Sequence, residues 1–450
     1  MLKSFIRRFA IKTYQLVTGR HVLDRLIELN RTQWLNYTEL QILQRDKLYR
    51  LLVYARNNVP YYNRLFERFN FHPDEVLADP QSLRKLPVLT KSVVNANLND
   101  MMTIESARRS RMSKLKTSGS TGHPLISMQD TNYRDYFTAD VLRHLGWAGW
   151  QFGQPHAYIW GADFEVQTAQ ALRTRLMDWA LNRFLINAYL LSDKSMGAFA
   201  EHVKRRKPTV LFGYASSIYS FAQFVRSKHL DITFGGIFST AEVLFPDQRA
   251  FIEDVFQTKM FNRYGTRELG GIACECNAHT GLHVSMDNNY IEVLGQDGQP
   301  LPSGEAGDIV VTNLNNYGVP LIRYVVDDVG AWSLLNDCPC GRELPLLDII
   351  QGRQSDLFKT KDGRKFIGDF AGLLFGMAGI KQFQVIQKSL DLVVVRIVRE
   401  GDLERSRLDA IEKAVKTVLG ADVEVRFEFP DEIPVLNSGK HCYAISEISE

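Results

Sequence analysis

The chain has 450 residues, of which 45% are hydrophobic and 23% charged, and its formal net charge at pH 7 is +3. This length exceeds one ordinary hydrophobic core, so we expect two or three domains. The composition is that of a folded globular protein, and the small net charge argues against a nucleic-acid-binding protein. No apolar run approaches the ~20 residues that a membrane span needs.

The N-terminal segment is basic and partly apolar. Charged side chains stand where a signal peptide would need its apolar region, so the sequence predicts a cytoplasmic protein. Phe5, Ile6, Phe9, Leu16 and Val17 fall on one face of a predicted helix, flanked by basic residues at positions 3, 7, 8 and 12. Such a helix more often packs on its own domain; the alternative is peripheral contact with an anionic membrane surface.

Predicted helices with polar turns fill residues 22–100, and Thr90 is predicted to cap one of them. Beyond residue 124 predicted strands and helices alternate, which indicates a parallel sheet covered by helices. In chain order these are helix 133–145, strand 156–160, helix 167–184, strand 209–214, helix 216–227, strand 235–239 and helix 247–256.

The pattern changes after about residue 271. Strands 290–294 and 307–312 flank a turn at 297–300, which predicts antiparallel pairing. A smaller unit with strand 392–398, helix 405–419 and strand 423–427 begins near residue 352. The predicted fold class is therefore α/β. Residues 1–351 form a large domain of parallel sheets covered by helices, with a helical part at about 1–100 and a β-rich part at about 272–350. Residues 352–450 form a small α+β domain.

One short stretch combines four hydroxyls with two glycines. Glycines let a backbone turn tightly, successive amides form an anion cradle, and hydroxyls donate to phosphate oxygens. No Lys-Ser or Lys-Thr follows, so the stretch is not a Walker loop. The alternative is a solvated Ser/Gly linker. The stretch comprises Thr117, Ser118, Gly119, Ser120, Thr121 and Gly122.

Four later segments carry residue types suited to a nucleotide. Tyr264 offers a ring for a base, and Glu268 offers a carboxylate for a hard cation. Asp328 ends a predicted strand and can accept hydrogen bonds from ribose hydroxyls. Arg353 stands at the predicted domain junction, and Lys440 lies in a polar glycine turn near the C-terminus. Singly, each is better explained as an ordinary turn, surface or ion-pair residue.

Together and in this order, the segments resemble the adenylate-forming superfamily of acyl-CoA synthetases, adenylation domains and luciferases. The closer resemblance is to its phenylacetate–CoA ligase and CapK-like branch, and it covers roughly residues 40–445. It implies a phosphate loop at 117–124, an adenine-stacking Tyr264, a magnesium-binding Glu268 and a ribose-binding Asp328. The implied nucleotide set also contains Ala241 and Glu242 beside the adenine, Gly265, Thr266, the junction residue Arg353, and Lys440, which swings in for adenylation.

The chain departs from the family pattern at several positions. Ala241 replaces a common glycine, and His123 stands where many members have lysine. Ser355 occupies a hinge position where relatives often carry aspartate. Asp327 adjoins Asp328, so it is an alternative ribose ligand.

Closely paired cysteines form a separate signal. Cys338 and Cys340 stand two apart on a glycine turn, the form of a metal knuckle. With Cys276 and His283 they make an S₃N set that suits structural Zn²⁺, and the resembled branch often has this pattern. Four protein ligands leave no open position for a substrate. Rival ligands are Cys274 and His279, and unliganded reduced thiols are the alternative.

The resemblance implies a two-step, AMP-forming ligase that uses ATP and Mg²⁺. A carboxylate attacks the α-phosphate to give an acyl-adenylate, with Lys440, Glu268 and Thr121 as catalytic residues. The small C-terminal domain then rotates as a mobile lid and admits the acceptor, which is coenzyme A or an amine. The other interpretation is a catalytically silent CapK-like partner in an envelope-polysaccharide pathway.

The acid is a small carboxylic acid, and an aromatic one fits the side chains that follow the phosphate loop. The predicted acyl pocket contains Tyr133, Phe137, Trp160, Phe212, Tyr214 and Gly265. Each of these aromatic residues is also of a type found in an ordinary hydrophobic core.

Overall fold

We describe the fold from a computed structural model of the chain. The structure describes residues 2–116, 125–161, 172–188, 191–335, 337–351, 357–361, 365–367, 374, 377, 379–433 and 443–448.

The N-terminal part is helical, as predicted. Local capping sets the helix ends: Asn36 and Glu39 form a reciprocal capping box, and the Thr90 hydroxyl accepts a bond from Val93 N, which confirms the predicted cap. The helices are α1 (Leu2–Thr18), α2 (Val22–Thr32), α3 (Tyr37–Asn58), α4 (Pro60–Arg68), α5 (Glu75–Ala78), α6 (Lys91–Met101) and α7 (Ser106–Arg109), with a 3₁₀ helix over Pro80–Lys85.

Parallel strands alternate with helices in the next part of the chain, as the periodicity predicts. The strands are β3 (His156–Trp160), β4 (Arg183–Asn187), β5 (Val210–Gly213), β6 (Gly236–Thr240) and β7 (Met260–Thr266), preceded by the hairpin β1 (Ser113–Lys116) and β2 (Ile126–Gln129). The helices are α8 (Thr131–Trp147), α9 (Leu172–Leu181), α10 (Asp193–Arg206), α11 (Ala215–Ser227) and α12 (Pro246–Phe256).

The prediction of helix up to residue 184 is wrong at its end. Asn182 has a left-handed φ of +58°, which ends the helix. Residues Phe184, Leu185 and Ile186 then pair in parallel with β3. Bulky and β-branched side chains favour a strand here, because the neighbouring strand β3 is available for backbone pairing.

The antiparallel strands continue the same sheet. One sheet of 11 described strands has the order β10-β11-β12-β13-β9-β8-β7-β6-β5-β3-β4, in which β7 is the last parallel strand. The β-rich part is thus an extension of the parallel sheet. Its strands are β8 (Gly270–Glu275), β9 (Leu282–Val284), β10 (Asn289–Leu294), β11 (Gly307–Asn313), β12 (Tyr324–Trp332) and β13 (Leu346–Gln351).

The C-terminal residues have a sheet and a core of their own. Val393, Val395, Ile411 and Val415 are buried in a separate hydrophobic cluster. We propose that this unit is the predicted small domain; the predicted boundary residues 352–356 lie outside the described residues. Its elements are β14 (Leu357–Lys359), β15 (Lys365–Ile367), β16 (Ile380–Ser389), β17 (Leu392–Arg399), α13 (Arg405–Leu419), β18 (Glu424–Glu428) and β19 (Ala444–Ser446).

A buried ionic network holds α8 against the sheet. The Arg143 guanidinium donates to Asp140 and Asp287 at 2.7 Å each, and Arg263 donates to Asp140 at 3.2 Å. Burial acts to raise the pKa of Asp140, but His144 and the two guanidinium groups bring it down to about 2. Because a buried charge left unpaired is costly, this network fixes the position of α8.

Candidate active site and metal centre

The candidate nucleotide site lies where parallel strands end. Tyr214 follows β5, Ala241 and Glu242 follow β6, and Glu268 follows β7. In open α/β sheets, ligands bind outside the carboxyl ends of the strands. The fold therefore places these predicted residues at one edge of the sheet.

Ala241 and Glu242 shape the turn after β6. Ala241 has a left-handed φ of +67°, a conformation that glycine adopts more readily than alanine. The Glu242 carboxylate accepts bonds from Ser216 N at 2.8 Å and from Ser216 Oγ at 3.0 Å. Ser216 is the second residue of α11, so the carboxylate satisfies a free N–H at a helix N-terminus. Glu242 thereby fixes the turn that carries Tyr214.

Tyr264 and Asp328 are hydrogen-bonded to each other. The Tyr264 hydroxyl donates to Asp328 Oδ2 at 2.8 Å. Asp327 is exposed, has a φ of +64°, and lies near Asp308, whose pKa is raised by burial and by Asp327. Of the two candidates, Asp328 is therefore the one that the structure joins to Tyr264.

The turn that carries Glu268 is tight and well supported. A Cβ at Gly265 would lie 2.3 Å from Gly270 O, so this close backbone approach requires glycine. Thr266 Oγ1 accepts a bond from Leu269 N at 3.2 Å. Gly265 itself lies in the paired β7, and the turn follows it.

Three side chains that sequence reasoning did not assign to this role hold the Glu268 turn. Gln129 Nε2 and the Tyr133 hydroxyl both donate to Arg267 O, at 3.0 and 3.2 Å. The Tyr324 hydroxyl lies 3.5 Å from Glu268 Oε1. Tyr133 was predicted only as a pocket residue, and Tyr324 stands in the segment that leads to Asp328. Gln129 carried no sequence signal.

Several predicted nucleotide residues lie outside the described residues. These are Thr117, Ser118, Gly119, Ser120, Thr121, Gly122, Arg353 and Lys440. The hairpin around the predicted phosphate loop is described: Lys116 pairs with Ile126. The same hairpin carries Gln129, which bonds to the Glu268 turn.

We expect Asp328→Asn to raise the KM for ATP by about tenfold, because a carboxylate accepts ribose hydrogen bonds that an amide only partly replaces. The matched Asp327→Asn variant is expected to change the KM little. Initial rates of pyrophosphate release at varied ATP concentration measure both. A larger effect at Asp327 would reverse the assignment.

Aromatic side chains line the same face of the sheet near its carboxyl edge. Tyr158 and Phe212 have ring centroids 4.9 Å apart, and Trp160 stacks on Tyr214 at 4.4 Å. Three of these rings stand on the paired parallel strands β3 and β5. The alternate residues of these two strands point to the other face of the sheet, into a second hydrophobic cluster. These rings are largely buried and form an apolar layer at this end of the sheet.

Tyr133 and Phe137 stand one turn apart on α8, over the same end of the sheet. Tyr133 is almost fully buried, whereas Phe137 is 36% exposed. A Cβ added to Gly270 would lie 3.1 Å from the Phe137 ring and 3.4 Å from the Tyr133 hydroxyl. Burial, and then the charge of Glu268, raise the pKa of Tyr133, so its hydroxyl stays protonated and donates to the turn.

The four predicted metal ligands come together. One ligand atom from each of Cys276, His283, Cys338 and Cys340 lies within 4.8 Å of all the others. Cys276 Sγ is 3.5 Å from Cys338 Sγ, and Cys340 Sγ is 3.3 Å from His283 Nε2. Ligands on a tetrahedral zinc ion with Zn–S bonds of about 2.3 Å stand roughly 3.8 Å apart. The donor set therefore fits such an ion.

Neighbouring groups orient these ligands. His283 Nδ1 lies 3.0 Å from Leu344 O, which leaves Nε2 facing the sulfurs. Burial lowers the pKa of His283 to about 4, so the imidazole is neutral, the form that binds metal. Ala278 N and Arg342 N donate to Cys276 Sγ and Cys340 Sγ, both at 3.4 Å.

The rival ligands have other partners. Cys274 is fully buried and its sulfur lies 3.4 Å from Glu275 O. His279 Nδ1 lies 3.1 Å from Glu275 Oε2. Neither side chain belongs to the four-residue cluster found among the described residues.

Arg342 connects the knuckle to the N-terminal helices. Its guanidinium lies 4.5 Å from the Trp34 ring centre and 4.7 Å from that of Trp147. Arg342 Nε and Trp147 Nε1 both donate to Gln33 Oε1, at 3.1 and 2.7 Å. The Trp147 ring also meets His283 edge-on at 5.8 Å.

The C-terminal unit contacts the large unit beside the candidate nucleotide site. The Tyr443 ring meets Phe245 edge-on at 5.9 Å, and Gln248 Nε2 donates to the Tyr443 hydroxyl at 3.4 Å. Burial, and then Glu242, raise the pKa of Tyr443. Tyr443 stands three residues after Lys440 in the sequence.

The described residues contain no helix that combines the length and apolar character required to cross a bilayer.

The fold is similar to that of 2-hydroxyisobutyryl-CoA ligase. A solved structure of 2-hydroxyisobutyryl-CoA ligase in complex with 2-HIB-AMP matches this chain with a TM-score of 0.75 at 18% identity, covering 92% of this chain and 90% of that one. The chain is also similar in sequence to phenylacetate–coenzyme A ligases. The one from Thermus thermophilus is 26% identical over 389 residues, or 82% of this chain and 81% of the relative.

The enzyme of that name from Escherichia coli is 28% identical over 331 residues, or 71% of this chain and 72% of the relative. Residues 358–447 match the CapK C-terminal domain. The resemblance to the adenylate-forming superfamily, and within it to the phenylacetate–CoA ligase and CapK-like branch, is thereby confirmed.

Proposed function

We propose that this protein is an ATP-dependent, AMP-forming carboxylic acid ligase that makes an acyl-adenylate and transfers the acyl group to coenzyme A. The observation that carries the proposal is the convergence of Glu242, Tyr264, Glu268 and Asp328 at the carboxyl edge of the sheet, beside an aromatic surface. Relatives named phenylacetate–coenzyme A ligase support coenzyme A as the acceptor.

In the first step a carboxylate oxygen attacks the α-phosphorus of ATP, and pyrophosphate leaves. The residues position reactants and balance charge rather than form covalent bonds. The Tyr264 ring packs against the adenine, and Asp328 accepts bonds from the ribose. Glu268, with Thr121 of the predicted phosphate loop, would hold Mg²⁺, which neutralises charge on the phosphates.

Lys440 bridges the substrate carboxylate and a nucleotide oxygen in this step. The contact of Tyr443 with Phe245 and Gln248 supports the proposal, because it docks the chain just after Lys440 next to Glu242. Rotation of the small domain about residues 352–356, which include Arg353, then withdraws the lysine and admits the acceptor.

The aromatic surface supports a small acid with an apolar, planar group. Trp160 and Tyr214 stack on each other, Phe212 packs against Trp160, and partly exposed Phe137 lies on α8. Aromatic rings prefer stacked or edge-to-face contacts with other rings, so a planar aromatic acid would suit these residues. An amine acceptor, which would give an amide, is the alternative for the second step. A cytoplasmic location, where ATP and coenzyme A are available, fits this function.

For the metal centre we propose structural zinc. All four positions are filled by protein side chains, so the ion would fix the fold and take no part in the reaction. The site joins the end of β8, β9 and the residues before β13.

Product mass spectrometry tests the proposed function. Purified protein is incubated with ATP, Mg²⁺ and a panel of aromatic and aliphatic acids, with coenzyme A, with amines, or with neither. We expect AMP, pyrophosphate and an acyl-CoA from an aromatic acid. An amide in place of a thioester would identify an amine acceptor. ATP binding without pyrophosphate release from any acid would favour the catalytically silent CapK-like partner, and formation of ADP would contradict the proposal.

We expect Lys440→Ala to lower the rate of adenylate formation by about 100-fold or more, because a positive charge at the reacting oxygens is lost. Turnover of supplied acyl-adenylate with coenzyme A should remain largely intact. Pyrophosphate exchange measures the first reaction and thioester formation the second. Lys381→Ala, at an exposed site in β16, is the matched control. Equal loss of both reactions would contradict the swinging-lysine role.

A further inference from the structure

Helix α1 packs on the protein through one stripe of residues. Ile11 is 1% exposed and Gln15 is 8% exposed. On the same stripe Arg7 donates through Nε to Trp179 O at 3.1 Å, and its guanidinium lies 6.0 Å from the Trp179 ring centre. The positions recur every four residues, so they form one face of the helix. Docking on the chain's own domain, the commoner of the two predicted arrangements, is therefore observed.

The opposite stripe is exposed and apolar. Phe9 is 66% exposed and Val17 is 81% exposed. Between them, the hydroxyl of exposed Thr13 donates to Phe9 O at 3.0 Å, which satisfies its polar group within the helix. We call Phe9, Thr13 and Val17 the outer stripe. The sequence has further apolar residues at helical spacing from this stripe, at positions 2, 5, 6 and 16.

The charge of α1 indicates what covers the outer stripe. The helix contains Lys3, Arg7, Arg8 and Lys12 and no acidic residue. Of these, Arg7 is used in packing, and Lys12 is exposed beside the outer stripe. An apolar face bordered by basic residues matches the acyl chains and the anionic headgroups of a bilayer surface. Half-exposed Trp179, next to the helix, is a residue type common at such interfaces.

We propose that the outer stripe of α1 docks the protein on an anionic membrane surface, with the helix lying in the plane of the headgroups. The stripe on Ile11 and Gln15 keeps the helix attached to the protein, so binding does not require it to unfold from its own domain. The proposal is independent of the proposed ligase reaction. A ligase held in this way acts on acids or acceptors at the membrane.

Vesicle co-sedimentation of the full-length protein tests the proposal. We expect binding to vesicles of phosphatidylcholine mixed with phosphatidylglycerol, little binding to phosphatidylcholine alone, and weaker binding as salt is raised. The double variant Phe9→Ser, Val17→Ser should bind anionic vesicles at least about tenfold more weakly, because two apolar side chains no longer enter the lipid. Lys12→Glu should also bind more weakly.

Ile27→Ser is the matched control, since Ile27 is 69% exposed on the neighbouring α2 and lies off the outer stripe. It should bind vesicles like the unchanged protein. Circular dichroism of each variant establishes that the fold is kept. Failure to bind anionic vesicles, or equal binding by the folded double variant, would overturn the proposal. Self-association that is lost in the double variant, without vesicle binding, would show that a second copy covers the stripe and would also overturn it.

Discussion

Replacing Glu268 by glutamine is expected to lower the rate of acyl-adenylate formation by about 100-fold or more. The amide keeps the size of the side chain but removes the negative charge that would hold Mg²⁺ at the phosphates. The surrounding turn should survive, because Gln129 and Tyr133 bond to Arg267 O rather than to the carboxylate. Pyrophosphate release measured over a range of Mg²⁺ concentrations should show a requirement for more Mg²⁺ in the variant.

Glu305→Gln is a suitable control, because Glu305 is an exposed carboxylate on the loop before β11. Tyr324→Phe gives an intermediate comparison, since it removes only the hydroxyl that lies 3.5 Å from Glu268 Oε1. Unchanged kinetics in Glu268→Gln, at all Mg²⁺ concentrations, would rule out metal contact at this residue.

The second large effect is expected at the metal centre. Cys338→Ser should abolish binding of about one zinc per chain and lower the free energy of unfolding by about 4 kcal/mol or more. The reason is that the ion would hold together three segments: the end of β8, β9, and the residues before β13. Other contacts join these three segments only partly. Metal analysis of protein purified without chelator measures the first effect, and chemical denaturation the second.

The rival ligands provide the controls for this experiment. Cys274→Ala and His279→Ala should each keep the full metal content, because these side chains contact Glu275 and not the cluster. Loss of metal in either variant would change the ligand set. Unmodified protein that contains no metal would refute the site altogether.

The parallel half of the fold could be predicted from local sequence, because strands such as β3 and β5 are short, apolar and separated by helical patterns. That the antiparallel strands continue this parallel sheet could not be predicted from local sequence. Whether β8 pairs with β7 depends on the close approach of Gly265 to Gly270 O, a contact that no periodicity encodes. The change from helix to strand at Asn182 likewise depends on pairing with β3.

The sequence predicts members of the candidate site, but it does not predict the residues that support them in the fold. Tyr264, Glu268 and Asp328 stand in short segments whose order carries the family resemblance. Gln129 and Ser216 carry no such signal, because each matters only through a bond to a residue distant in the chain. The choice between Asp327 and Asp328 needed the position of the Tyr264 hydroxyl.

The buried ionic network under α8 has a consequence for how substrate preference can change in evolution. Asp140, Arg143 and Asp287 anchor the helix that carries Tyr133 and Phe137. In the proposed acyl pocket, this helix therefore cannot shift to accommodate a larger acid without separating buried charges. New acids must therefore be accepted by exchanging individual side chains on a backbone that stays in place. Phe137, partly exposed and free of the network, is the position at which we expect such exchanges to be tolerated first.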